Sequence, residues 1–199
     1  MSETHPTHHL RSYQLFLRLL GKCQHTLHND GEHTLDRILT TCSEMLQDRG
    51  HAHVKRLPAV PVCIERSEPV LVTETTDVYI VAEPKVSVRF LRTLATSQRA
   101  CLLISLEGPT SFARKEQVDA DVEHVCVSFL LNNVTKHELV PKCYRVSSPP
   151  PGVDPEHMPL LCASDPLAKY YRWPTDTIVC FERCFGGGQP TLYYRRLAA

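Results

Sequence analysis

Residues 76–97 read TDVYIVAEPKVSVRFLRTLATS. Val78 to Ala82 is an unbroken apolar run rich in β-branched side chains, the pattern of a strand covered on both faces. Pro84 has the fixed φ that suits the first turn of a helix, and Phe90, Leu91 and Leu94 then recur at helical spacing and give that helix a buried side. The stretch therefore predicts strand, turn and helix. Toward the C-terminus, ACLLISLE (100–107) is a second buried strand closed by Gly108 and Pro109. TSFARKEQ (110–117) opens a helix with Thr110 as its cap, and HVCVSFLLNNV (124–134) supplies a third strand. Toward the N-terminus, TLDRILTTCSEMLQDRG (34–50) carries Leu35, Ile38, Leu39, Cys42, Met45 and Leu46 on one face, with Gly50 as a left-handed stop. Strands alternating with helices predict a compact α/β layer, three-layer-like, over residues 31–135.

Beyond residue 136 the character changes. Nine of the fifteen prolines fall from Pro141 onward, among short β-type segments at 144–146, 177–182 and 191–197. RCFGGGQP (183–190) reads as the glycine-rich turn of a hairpin. Asp165 and Pro166 make a good helix start, because the carboxylate caps free amides and the ring is pre-set for the first helical position; Leu167, Tyr170 and Tyr171 then share a side. Residues 136–199 thus predict a small β-rich second domain. A unit of that size buries only roughly 60% of its chain surface and gains from docking on a partner. The first thirty residues are polar and histidine-rich, with one helical stripe at Leu10, Tyr13, Leu17 and Leu20, and are expected to form an arm or an extra helix.

Twenty-two basic residues balance twenty-two acidic ones, so net charge gives no sign of an electrostatically driven nucleic-acid or membrane binder. No run of eighteen apolar residues and no leader pattern is present, which predicts a chain that is neither secreted nor membrane-spanning. Nine scattered cysteines without a CxxC pair suit free thiols in a reducing compartment. Cys23, His25, His28 and His33 are zinc-competent but match no finger or ribbon spacing, and no metal site is expected there.

HELVPK (137–142) begins like a zinc-protease helix and stops, since Pro141 stands where the second histidine belongs. It is similar instead to the signature that opens the C-terminal assembly domain of the fifth subunit shared by eukaryotic multisubunit RNA polymerases, a family whose shorter archaeal relative has that domain alone. RVSS (145–148) continues the likeness. SDPLAKYY (164–171) resembles that family's Asp-Pro-x-Ala-x-Tyr helix through Asp165, Pro166, Ala168 and Tyr170. YYRRL (193–197) resembles its final strand, with Tyr194 and Arg195 in matching places. EMLQDRG (44–50), VYIVAEPKVSVRFLRTL (78–94) and LEGPTSFARK (106–115) resemble the N-terminal half, so the likeness runs from about residue 34 to 199. Residues 1–30 have no counterpart, and prolines 149, 150, 151 and 155 replace a basic helix of the family.

The resemblance implies a non-catalytic subunit of a DNA-directed RNA polymerase. A C-terminal domain docks on the largest subunit beside other polymerase subunits, and an N-terminal jaw lies near downstream DNA. Partner contact falls to His137, Glu138, Leu139, Val140, Pro141, Asp165, Pro166, Tyr170, Tyr194 and Arg195. In this reading 137–141 is an extended segment whose leucine and valine bury against a sheet, while His137 and Glu138 serve the partner or merely satisfy each other or nearby backbone. Thr110, Arg114 and Lys115 would hold a DNA phosphate weakly and without sequence preference. No catalytic residue, metal, cofactor, membrane or small-molecule substrate is implied, and the site of action is the nucleus, or the host cytoplasm or virion for a viral enzyme. Two rivals compete. One is a magnesium-dependent nuclease using Glu83 and Lys85, whose spacing echoes a carboxylate and a water-stabilising lysine; the other is a free-standing transcription regulator.

Overall fold

The computed structural model describes residues 17, 20, 31–57, 68–81, 85–95, 99–117, 122–184 and 188–198. The fold is mixed α/β and divides into two compact units, Met1–Asn132 and Asn133–Ala199; the break expected from sequence lay between 135 and 136. Of the N-terminal stripe only Leu17 and Leu20 are described, both helical, with Leu20 buried; Cys23, His25 and His28 lie outside the described residues.

In the first unit α1 (Gly31–Asp48) carries the expected stripe, and Gly50 ends it at φ +100°. Five strands follow: β1 (Lys55–Arg56), β2 (Leu71–Val72), β3 (Thr76–Ile80), β4 (Ala100–Ser105) and β5 (Val122–Cys126). They lie side by side in chain order, with β1, β2 and β3 antiparallel and β3, β4 and β5 parallel. Between the parallel strands run α2 (Val88–Ala95) and α3 (Ser111–Gln117), as a parallel crossover requires. Tyr79, Val81, Cys101, Leu103 and Val122 turn one sheet face toward Phe90, Leu91, Leu94 and Ala113 of these helices. Alternation sends Val78, Ile80, Leu102, Ile104 and Glu123 to the other face, where all but the glutamate are buried. α1 is tied to that face at its end: Arg49 donates both guanidinium nitrogens to Glu123, at 2.7 and 2.8 Å.

Two expectations change here. The third strand stops at Cys126, and α4 (Val127–Leu130) takes over, because Val127 and Leu130 lie three apart and bury together on a helical turn. Pro84 does not open α2. Residues 82–84 lie outside the described set and the helix begins at Val88, where Ser87 Oγ accepts from the Phe90 amide at 3.4 Å. The two-residue strands β1 and β2, which extend the sheet, carry no sequence period.

The parallel edge also holds a half-buried polar cluster around the buried Ser105. Ser105 Oγ donates to the Glu107 carbonyl and lies 2.7 Å from His124 Nε2. Burial first, then the Arg114 charge, holds the His124 imidazole below its ordinary value of 6.5, against the opposing pull of the Glu107 carbonyl and the Glu123 carboxylate. The unfolded chain therefore takes up a proton where the folded one does not. This contribution to stability is complete above 6.5 and is lost as pH falls through the folded pKa. Melting temperatures from about pH 7.5 down to about pH 5 should drop more steeply for the native chain than for His124→Gln. Parallel slopes would rule the effect out.

In the second unit β6 (Lys142–Val146), β8 (Ile178–Arg183), β9 (Thr191–Leu197) and β7 (Leu160–Leu161) form one sheet in that order, with β7 parallel to β9 and the rest antiparallel. α5 (Pro166–Tyr171) packs on one face, where Leu161, Leu167, Ala168, Val179, Phe181 and Leu197 make the core. In the proline-rich stretch a single 3-10 turn, Pro155–His157, is capped by Asp154. Among the described residues no helix is long and apolar enough to cross a membrane, and the seven described cysteines are all free thiols.

Candidate docking site

Residues 134–141 form turns, not the extended segment expected. Val134–Lys136 is a 3-10 turn capped by Asn133, whose Oδ1 accepts from the Thr135 amide at 2.9 Å. His137 then shapes the next turn. Its carbonyl accepts from the Val140 amide at 3.0 Å and its Nδ1 from the Leu139 amide at 3.2 Å. His137 thus satisfies local backbone, the second of the two roles considered for it, while Glu138 stands exposed. The turn throws Leu139 outward, 81% exposed, and folds Val140 down onto the core. Burial against the unit's own sheet, expected for both side chains, therefore holds for Val140 alone.

α5 starts as its sequence requires. Asp165 Oδ1 accepts from the Leu167 amide at 2.8 Å, Pro166 takes the first helical position, and Arg172 closes the helix in the left-handed region at φ 49°. Tyr170, expected at the partner surface, is instead a core residue at 1% exposure. Its hydroxyl accepts from Asn133 Nδ2 at 3.1 Å, so one asparagine caps the first turn and fastens it to α5. Tyr170 positions the 134–141 segment; it does not present its own ring.

Together these elements enclose a groove of about 330 Å³. Leu139, Val140 and Pro141 line it from the turn, Asp165 and Pro166 from α5, and Arg195 from β9. Residues from all three separate signature segments thus meet around one hollow. Tyr194 does not join them. Strand side chains alternate, so with Arg195 on the groove face Tyr194 must face away, and it lies in a row with Cys180 and Tyr144 across the opposite side of the sheet. The structure adds Leu161 and Phe181 as floor and Arg183 and Tyr193 as rim, none of them singled out from sequence. Arg183 and Tyr193 share the parity of Arg195 across a hairpin, a signal that strand alternation alone would have provided. Half-buried Cys143 is pushed up to about 11 by burial and then by the Asp165 charge, which makes it a poor nucleophile.

In the first unit Thr110 Oγ1 accepts from the Ala113 amide at 3.2 Å and so caps α3. Arg114 and Lys115 are both exposed, and the Arg114 guanidinium lies beside Gly108. Between them and the cap stands Phe112, 74% exposed and not anticipated. Lys85 is paired with Glu107 at 3.5 Å, and Glu83 lies outside the described residues. Asp77, the acidic residue of β3, takes the Arg99 Nε at 2.9 Å. Among the described residues no three histidine, cysteine or carboxylate side chains gather as a metal site would need.

No protein-family model matches the chain, and no curated protein matches it.

Proposed function

We propose that the chain is a non-catalytic subunit of a multisubunit DNA-directed RNA polymerase, held to the largest subunit through its C-terminal unit, with its N-terminal α/β unit near downstream DNA. The observation that carries this reading is the convergence of Leu139, Val140, Pro141, Asp165, Pro166 and Arg195 on one groove. These residues come from three stretches that resemble a polymerase subunit in sequence, and nothing about chain order obliges them to meet. A leucine standing 81% exposed beside an apolar hollow is a contact waiting for a partner surface. On the N-terminal unit, Arg114 and Lys115 with the exposed Phe112 suit weak, sequence-independent contact with DNA, because two cations neutralise few phosphates.

The nuclease reading draws little support from the geometry. Lys85 pairs with Glu107 at 3.5 Å and Asp77 with Arg99 at 2.9 Å, and among the described residues no carboxylate stands beside Lys85 as part of a metal cluster. A free-standing regulator remains the competing reading, and purification separates the two. A tagged chain recovered from its native source should bring down very large catalytic chains at one copy each. Recovery as a small species alone would refute the subunit reading.

A further inference from the structure

The groove walls name the chemistry of what fits them. Register sets the side chains of β8 and β9 that face it in three rows: Val179 beside Arg195, Phe181 beside Tyr193, and Arg183 beside Thr191. The middle row is an aromatic pair, stacked at 5.0 Å and 9°. Arg195 stands one row to one side of it. Arg183 stands one row to the other, with its guanidinium carbon 5.7 Å from the centre of the Tyr193 ring. Neither arginine is paired with a carboxylate among the described residues; Arg195 donates only to the Leu160 carbonyl, at 3.2 Å. The one acid in the lining, Asp165, has an oxygen committed to capping α5. An apolar floor therefore lies between two cations whose rows are four strand residues, or ~13 Å, apart.

We propose that this groove binds an extended acidic segment of a partner protein. An aliphatic side chain of the segment enters the hollow between Leu139 and the edge of the Phe181–Tyr193 pair, and carboxylates two residues before and two residues after it meet Arg183 and Arg195. In an extended chain every second side chain points the same way, about 7 Å on, so an acid-x-apolar-x-acid pattern matches the three rows. A guanidinium fork takes a carboxylate with two parallel bonds, which fixes orientation as well as charge. Single-stranded nucleic acid would satisfy the cations but not the floor. Phe181 is buried, and Tyr193 has Phe181 against one side and Arg183 over its ring, so no face is left for a base. The inference rests on the docking reading for the place of contact and adds to it the charge and spacing of the partner.

The test uses the full chain and a fluorescein-labelled peptide containing Asp-Ser-Leu-Ser-Asp, with a matched Asn-Ser-Leu-Ser-Asn peptide and an unlabelled oligothymidine competitor. The acidic peptide should bind at least tenfold tighter than the amide version. Arg183→Glu with Arg195→Glu should abolish that preference, and the oligonucleotide should not displace the peptide. Both arginines are exposed, so the reversal should leave the melting curve in place; should it not, Arg183→Gln with Arg195→Gln serves the same purpose. Equal binding of the two peptides, or displacement by the oligonucleotide, would overturn the proposal. In co-purification, loss of the catalytic chains by the charge-reversed protein supports it. If the charge-reversed protein retains those chains while Leu139→Asp loses them, docking stands and the acidic partner is refuted; if both retain them, the docking reading falls as well.

Discussion

Leu139→Asp should leave the melting temperature of the isolated chain unchanged and cut its recovery with polymerase catalytic chains at least tenfold. The first half follows from exposure. At 81% exposed, Leu139 contributes almost nothing to the burial that holds its own unit together. The second follows from what an interface would do with it. Fully burying a leucine contributes about 1.5 to 3 kcal/mol, and placing an unpaired carboxylate there instead adds a desolvation cost of several more, where each ~1.4 kcal/mol is tenfold in affinity. Leu139→Ala should lie between the two. Val140→Asp is a poorer probe, because Val140 already packs on Leu161 and its neighbours and a charge there would unsettle the fold itself. Unchanged recovery of Leu139→Asp, with native folding verified, would remove the turn at 137–141 from any docking role.

Breaking the Arg49–Glu123 pair is expected to cost the first unit a large share of its stability. The side chains are 9% and 18% exposed and share two short hydrogen bonds, so water replaces only part of what either charge loses when the other is removed. Arg49→Met should cost about 3 kcal/mol, since it takes the bidentate guanidinium away from a largely buried carboxylate on the sheet face beneath the end of α1. Glu123→Gln keeps one acceptor and should cost less. The double change Arg49→Met with Glu123→Leu removes both charges, and a buried pair replaced by apolar groups of similar size is often neutral. Denaturant titration of the four proteins would show a coupling of roughly 1 to 3 kcal/mol if this holds. Additive single losses would show that the two residues act independently.

Much of the architecture was readable from residue order. α1, β3 and β4 are long enough for their apolar spacing to declare itself, and α5 announces its start with Asp165 and Pro166. β1, β2 and β7 have two residues each, too few for a period to exist, and are defined by the neighbours they pair with. The 127–130 run is apolar throughout apart from one serine, so its composition fits strand and helix alike, and only packing selects the helix. At the candidate site the gaps have a different origin. The role of His137 depends on bonds from its own ring and carbonyl to amides two and three residues on, which leave no mark on hydropathy. Tyr170 was misassigned because a tyrosine on a short helix reads the same whether its hydroxyl meets a partner or, as here, Asn133.

The alternation along β9 has a further consequence for how such chains can diverge. Arg195 faces the groove and Tyr194 faces away only because Val179 pairs with Arg195 and Cys180 with Tyr194. A one-residue slip in the pairing of β8 with β9 would swap a cation for a phenol at the rim; a slip of two would return Arg195 to the groove face. Relatives that preserve this contact should therefore keep this pairing or shift it by even steps, a parity rule written into the backbone and independent of the length of the loop that joins the two strands.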